Sequence, residues 1–177
     1  MTSPTALPSA AHARRSSPLV RVVEAGIALC RRIPHSLVAF IGRFSIAAVF
    51  WKSGQTKVEG FVIDLIDGQF NLGWPRLSDS ALALFKEEYR LPLISPEIAA
   101  PMAAFAEHAL PLLILLGLGT RFSALGLLVM TLVIQVFVYP GAYPTHGVWA
   151  TVLLYLIARG PGVISVDHLL ARRHRQA

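Results

Sequence analysis

The chain has a single cysteine, Cys30, among 177 residues. One thiol excludes an intramolecular disulfide and any CxxC redox pair. Cys30 stands between Arg21 and the Arg31-Arg32 pair, and a reduced thiol on the cytoplasmic side is the expectation. Charge is also scarce. Only 15% of residues are charged, against about 25% in an ordinary soluble domain. The third of the loops described below carries no Lys or Arg at all. No P-loop, GxGxxG, nucleophile elbow or haem motif is present. His12, His35, His168 and His174 lie in or near the tails, without carboxylates at metal-ligand spacing, so no metal site is expected. Residues 1–18 are rich in Ser, Ala and Pro and have no apolar core. They are expected to be disordered and do not form a signal peptide by themselves.

What remains is apolar. Hydrophobic residues make up 54% of the chain, and the mean hydropathy is +0.58. Four segments stand out, at residues 34–58, 97–118, 121–139 and 146–164. Each approaches the roughly 20 residues that cross a bilayer. The second and third are apolar on all faces, which disfavours a bundle of amphipathic soluble helices. Gly117-Leu118-Gly119-Thr120 and Tyr139-Pro140-Gly141-Ala142-Tyr143-Pro144 are tight connections that make sequential helices antiparallel neighbours. The expected fold class is all-α: an integral membrane four-helix bundle over residues 34–164, with a long extracytoplasmic first loop at 59–96. In that loop Ser78-Asp79 reads as the cap of a short amphipathic helix running to Tyr89, with Leu82, Phe85 and Tyr89 on one face, lying on the outer surface or lidding the bundle, or else as part of a solvated connector. Residues 1–33 read as a basic, largely disordered cytoplasmic segment in which Val22–Leu29 forms an interfacial turn of helix. Residues 165–177 read as a basic cytoplasmic tail.

Arginine asymmetry orients the chain. Arg14, Arg15, Arg21, Arg31 and Arg32 precede the first segment, Arg121 marks the second loop, and Arg172, Arg173 and Arg175 follow the fourth. The first loop carries Glu59, Asp64, Asp67, Asp79, Glu87, Glu88 and Glu97 against three cations. The positive-inside rule puts both termini in the cytoplasm, which four crossings satisfy. The net charge of +6 therefore points to anionic lipid rather than nucleic acid.

Two charges interrupt the apolar segments. Arg43 lies about 14 Å and Glu107 about 16 Å from the same side at 1.5 Å per residue, so a buried pair between adjacent helices is expected. That pair is either a structural salt bridge or a proton or ligand site. Arg43, Ala47, Phe50, Gly54 and Lys57 share one helical stripe, and Ala100, Ala103, Ala104 and Glu107 share another. Gln135 reads as an interhelical hydrogen bonder. His108 points away from Glu107 and reads as a structural residue or a proton carrier. His146 and Trp149, with Tyr139 and Tyr143, read as an outer aromatic belt or as the wall of a quinone pocket.

These residues resemble the DoxX family of small membrane proteins. The resemblance rests on Arg43-Phe44 through Phe50, on Ser53-Gly54-Gln55-Thr56-Lys57, on Glu107, and on the run from Leu113 to Arg121. It extends over about Val38 to Ile164. It implies a four-helix bundle in the bacterial inner membrane. Some relatives are subunits of a thiosulfate:quinone oxidoreductase, and others are linked to redox stress or to metal-responsive gene clusters. Two function classes follow. One is a non-enzymatic membrane component of a redox- or stress-linked system, assembled with a membrane or periplasmic protein or with its own copies, and without a cofactor of its own. The other is the membrane subunit of a quinone-linked oxidoreductase, with quinone near Lys57, His146 and Trp149 and with Glu107 as proton acceptor. A solute transporter is a weaker reading, since no inverted repeat or broken helix pair is evident.

Overall fold

The computed structural model describes residues 17–64 and 68–176. Two compact units, Met1–Pro34 and His35–Ala177, are treated separately. In the first, helix α1 spans Pro18–Cys30. Ser17 caps it, its Oγ accepting from the Val20 N–H at 3.3 Å, and Pro18 opens the first turn, where a missing N–H costs nothing. The interfacial turn expected at Val22–Leu29 is thus part of a 13-residue helix. This corrects the expectation of a largely disordered segment up to residue 33; residues 1–16 lie outside the described residues.

The second unit is mostly helical. Its elements are α2 (His35–Gln55), β1 (Val58–Asp64), β2 (Gln69–Leu77), α3 (Asp79–Leu84), α4 (Pro96–Leu116), α5 (Thr120–Val133), α6 (Tyr143–Arg159) and α7 (Val166–His174). A π-helical turn, Phe85–Tyr89, extends α3, and another, Ile134–Val138, extends α5. Three helices are long and apolar enough to cross a membrane: His35–Gln55, Pro96–Leu116 and Thr120–Val138. α6 has 17 residues. It ends at Arg159, short of the expected 164, because Gly160-Pro161-Gly162 follows. Gly160 and Gly162 take φ of 77° and 81°, and a proline cannot donate to the helix ladder.

α2 packs on α4 and α6, and α5 packs on α4 and α6. Their shared core holds Ala39, Ile46, Ala47 and Phe50 of α2, Ile114 of α4, Ala124 and Leu127 of α5, and Leu153 and Leu156 of α6. The stripe expected on α2 is the buried one: Arg43, Ala47, Phe50, Gly54 and Lys57 are all buried. Gly54 lets α2 approach α4 closely, as helix association within lipid favours. At Gly54 a Cβ would lie 2.8 Å from His108 and 3.1 Å from the Glu107 Cβ.

The first loop departs from the all-α expectation. β1 and β2 form an antiparallel hairpin with a register shift between Glu59 and Phe61. Two side chains of α2 hold the hairpin down. Trp51 Nε1 donates to the Ile63 carbonyl at 3.0 Å, and Gln55 Oε1 accepts from the Ile63 N–H at 2.8 Å. After the hairpin, the short helix forms as expected. The Ser78 side chain accepts from the Ala81 N–H at 3.1 Å. Phe85, with Leu82 and Tyr89, packs on Ala99, Ala100 and Ala103 at the start of α4.

At the opposite end, the tail is ordered as α7 and clamps the α4–α5 turn. Asp167 accepts from the Gly119 N–H at 2.8 Å and from the Thr120 N–H at 3.0 Å. Its own N–H donates to the Gly117 carbonyl at 2.9 Å. The carboxylate meets the positive end of α5, where exposed N–H groups and the helix dipole favour an anion. Asp167→Ala should lower stability by about 1–2 kcal/mol, the usual cost of a lost cap, and Asp167→Asn should lose less. Thermal unfolding in detergent checks this; an unchanged midpoint for Asp167→Ala would show that the clamp carries no load.

Candidate functional site

Helix side chains lean toward the N-terminus of their own helix. α2 and α4 are antiparallel, Arg43 reaching Leu115 while Gly54 abuts Glu107 and His108. Side chains at matching depth on the two helices therefore lean in opposite directions. Arg43 runs toward the α4–α5 turn, where Nη1 donates to the Leu115 carbonyl at 3.3 Å and Nη2 donates to the Ile164 carbonyl. Its guanidinium also lies 5.7 Å from the Phe40 ring centre. A cation at the carbonyl end of α4 is favourable. Glu107 leans toward the hairpin end and meets Lys57, Nζ to Oε2, at 2.7 Å. The expected Arg43–Glu107 pair is not formed. The two charges are not level: Gly54 abuts Glu107, so Arg43, earlier on α2, lies about 16 Å from it along the helix at 1.5 Å per residue, and side chains that lean in opposite directions widen the gap.

The Lys57–Glu107 pair is 4% exposed on each side. Lys57 also reaches the Ser53 carbonyl at 3.2 Å and the Ser53 Oγ at 3.1 Å. Its three donors thus face two oxygens of Ser53 and the carboxylate. The carboxylate contact is short enough to be an ion pair by distance, although Oε2 makes no well-aligned hydrogen bond.

Beside the pair lies a cavity of about 360 Å³. Lys57, Ser53 and Glu107 form its polar floor, and His146 and Trp149 stand on one wall. Phe50, Met102, Ala103, Gly126 and Met130 supply apolar lining from α2, α4 and α5. Both π-helical turns reach it, one through Tyr89 and the other through Ile134 and Val138, with Tyr139 beside them. Such turns recur at functional sites because they re-aim side chains from a helix. Tyr89 and Tyr139 meet edge to face at 5.8 Å, and the Tyr139 hydroxyl donates to Glu88. Burial pushes the Tyr89 phenol above its usual range, with a smaller opposing effect from its contact with Tyr139, so it remains a hydroxyl at neutral pH.

Lys57, Glu107, His146 and Trp149, singled out from sequence, are brought together by the fold. Gln135 lies behind them, bonded to His146 at 2.8 Å. Trp149 packs on Phe50 at 5.5 Å and on His146 at 5.0 Å, which makes it a cavity wall rather than only a belt residue. Arg43 belongs to the other end. Ser53, Tyr89 and Asp167 were not recognised as parts of either polar centre. His108 resolves as structural. Its Nδ1 bonds the Ala104 carbonyl at 2.7 Å, and its Nε2 bonds Gln55 at 2.8 Å, the same Gln55 that holds the hairpin.

Three apolar helices of membrane-spanning length and a pocket among helices define a small helical membrane protein. The chain belongs to the DoxX family, whose match covers residues 38–140. α6, with His146 and Trp149, lies beyond the matched residues. No curated protein and no solved structure matches the chain.

Removing either Lys57 or Glu107 leaves a lone charge, which in a buried pair costs about 3–5 kcal/mol. Lys57→Ala and Glu107→Ala should each reduce folded yield strongly, and the double variant should be milder than the worse single. Arg43→Ala should combine additively with Glu107→Ala. A double-mutant cycle on detergent-extracted folded protein measures both. Strong coupling of Arg43 to Glu107, with none from Lys57, would restore the pairing first expected.

Proposed function

We propose that this is a multi-pass protein of the bacterial inner membrane, with α2, α4, α5 and α6 crossing as a four-helix bundle and both termini in the cytoplasm. We further propose that it is the membrane component of a redox- or stress-linked system and holds a lipid-soluble ring ligand in its cavity. The observation that carries this reading is the cavity itself. At about 360 Å³ it falls within the usual 300–1,000 Å³ of small-molecule pockets. It is lined mostly by apolar side chains around a buried ion pair and a histidine, as an amphipathic head group requires. α6, at 17 residues, is at the short end of the span length and supplies the fourth crossing that the arginine distribution calls for.

The same cavity favours a second reading, a quinone-linked oxidoreductase subunit of the thiosulfate:quinone type. The residues present fit a quinone head: aromatic walls at Trp149 and Phe50, and polar groups at Glu107, His146 and Tyr89. A bound quinone would supply two-electron, two-proton acceptor chemistry. The chain would bind and orient the ring, exclude water and hold protons at Glu107 and His146. Electrons would come from a membrane or periplasmic partner. The hairpin offers such a partner, or a second copy, the exposed side chains Phe70, Leu72 and Trp74.

Cysteine labelling in whole cells, with Cys30 replaced, should find positions near Ser80 and Ala142 accessible from outside and both termini inside. Termini on opposite sides would remove the fourth crossing. Mass spectrometry of protein purified in mild detergent should show a co-purifying quinone and a partner protein. With a reduced sulfur donor and a quinone analogue, turnover should require the partner and be lost in Glu107→Gln. Turnover by the isolated chain would overturn the reading as a non-enzymatic component.

A further inference from the structure

The cavity's hydrogen-bonding character can be read from groups whose chemistry leaves no choice. Pro140 offers only a carbonyl, and a carbonyl only accepts. The Gln135 atom 2.6 Å from it must therefore be the amide nitrogen. That turns Gln135 Oε1 toward His146, 2.8 Å from Nδ1. An amide oxygen also only accepts, so Nδ1 carries the imidazole hydrogen. A neutral imidazole has one N–H, which leaves Nε2 with its lone pair. His146 lines the cavity and is only 5% exposed, and the one hydrogen bond of its ring among the described residues is at Nδ1.

Of the other polar groups of the floor, Glu107 Oε2 lies 2.7 Å from Lys57 without an aligned hydrogen bond and is a further acceptor, never a donor while ionised. Lys57 faces Ser53 twice and Glu107 once, so its ammonium has no donor left for an incoming carbonyl. His108 provides a contrast: the same tautomer logic applies, with Nδ1–H donating to Ala104, but Gln55 closes its Nε2. One histidine is sealed on both nitrogens, and the other is sealed on one.

From this geometry we infer that His146 presents an acceptor to the cavity, with Gln135 as the positioning residue that sets its tautomer, and that the site selects a ligand whose polar end is a hydroxyl donor, a phenol or hydroquinone head, over one that only accepts. The inference rests on the proposal that the cavity holds a ring ligand and adds which form of ring it prefers. The π-helical turn at Ile134–Val138 contributes directly, since it holds Gln135 between Pro140 and His146.

The test uses the full chain in lipid nanodiscs under anaerobic conditions, with calorimetric titration of three probes: a short-chain alkyl hydroquinone, its dimethyl ether and the matching benzoquinone. The hydroquinone should bind about 10-fold more tightly than either of the others, the worth of one hydrogen bond to a buried partner. In His146→Phe most of that preference should be lost, and in Gln135→Leu it should shrink. An independent readout is the nitrogen NMR spectrum of histidine-labelled protein. The signals missing from His146→Phe should be those of a protonated Nδ1 and a bare Nε2. Gln135→Leu should move them, which a merely structural role for Gln135 would not. A protonated Nε2, or equal affinity for hydroquinone and ether, would overturn the inference while leaving the cavity reading intact. Failure of all three probes to bind would overturn both.

Discussion

A charge without water needs a partner, and the placement of partners organises this molecule. Lys57 and Glu107 neutralise each other at 2.7 Å where α2 ends against α4. Several neighbouring features depend on that contact. Gly54 sits where any side chain would meet His108 or Glu107. Gln55, one residue on, bridges His108 to the hairpin. The cavity opens against the same pair, so the element that fixes α2 to α4 also gives the pocket its polar floor.

The other buried cation is solved differently. Arg43 forms no ion pair among the described residues and uses backbone carbonyls at Leu115 and Ile164. Asp167 stands nearby on the N–H groups of Gly119 and Thr120. One end of the unit is thus held by helix-end dipoles and backbone groups, and the other by an ion pair. The arrangement separates a structural end, closed by α7, from an end with an accessible cavity. That division explains why the ligand reading draws on Lys57, Glu107 and His146 and not on Arg43.

Much of this was legible in the chain. The period of the buried stripe on α2 placed Arg43, Gly54 and Lys57 on one face, because a helix repeats every 3.6 residues whatever its surroundings. Apolar length marked the spans, and Ser78 marked the start of α3 through its side-chain acceptor. The hairpin was missed although Phe70, Leu72 and Trp74 alternate with Gln69, Asn71 and Gly73. Those three side chains are exposed, so the alternation does not report a core. The tail was read as a charged run. Its Asp167 has a structural role only because the α4–α5 turn comes within reach.

Composition and periodicity by themselves determined that apolar helices would form, where they would turn, and which face of α2 and α4 would be buried. These follow from local geometry and from the cost of leaving backbone groups unbonded in lipid. Which charge meets which was decided only by the tertiary structure. The alignment of α2 with α4 sets Arg43 against Leu115 and Gly117 and sets Gly54 against Glu107, so a lysine just past the end of α2, and not the arginine, meets the carboxylate. The free nitrogen of His146 is likewise invisible in the sequence, because it depends on a proline carbonyl and a glutamine brought to it from another helix.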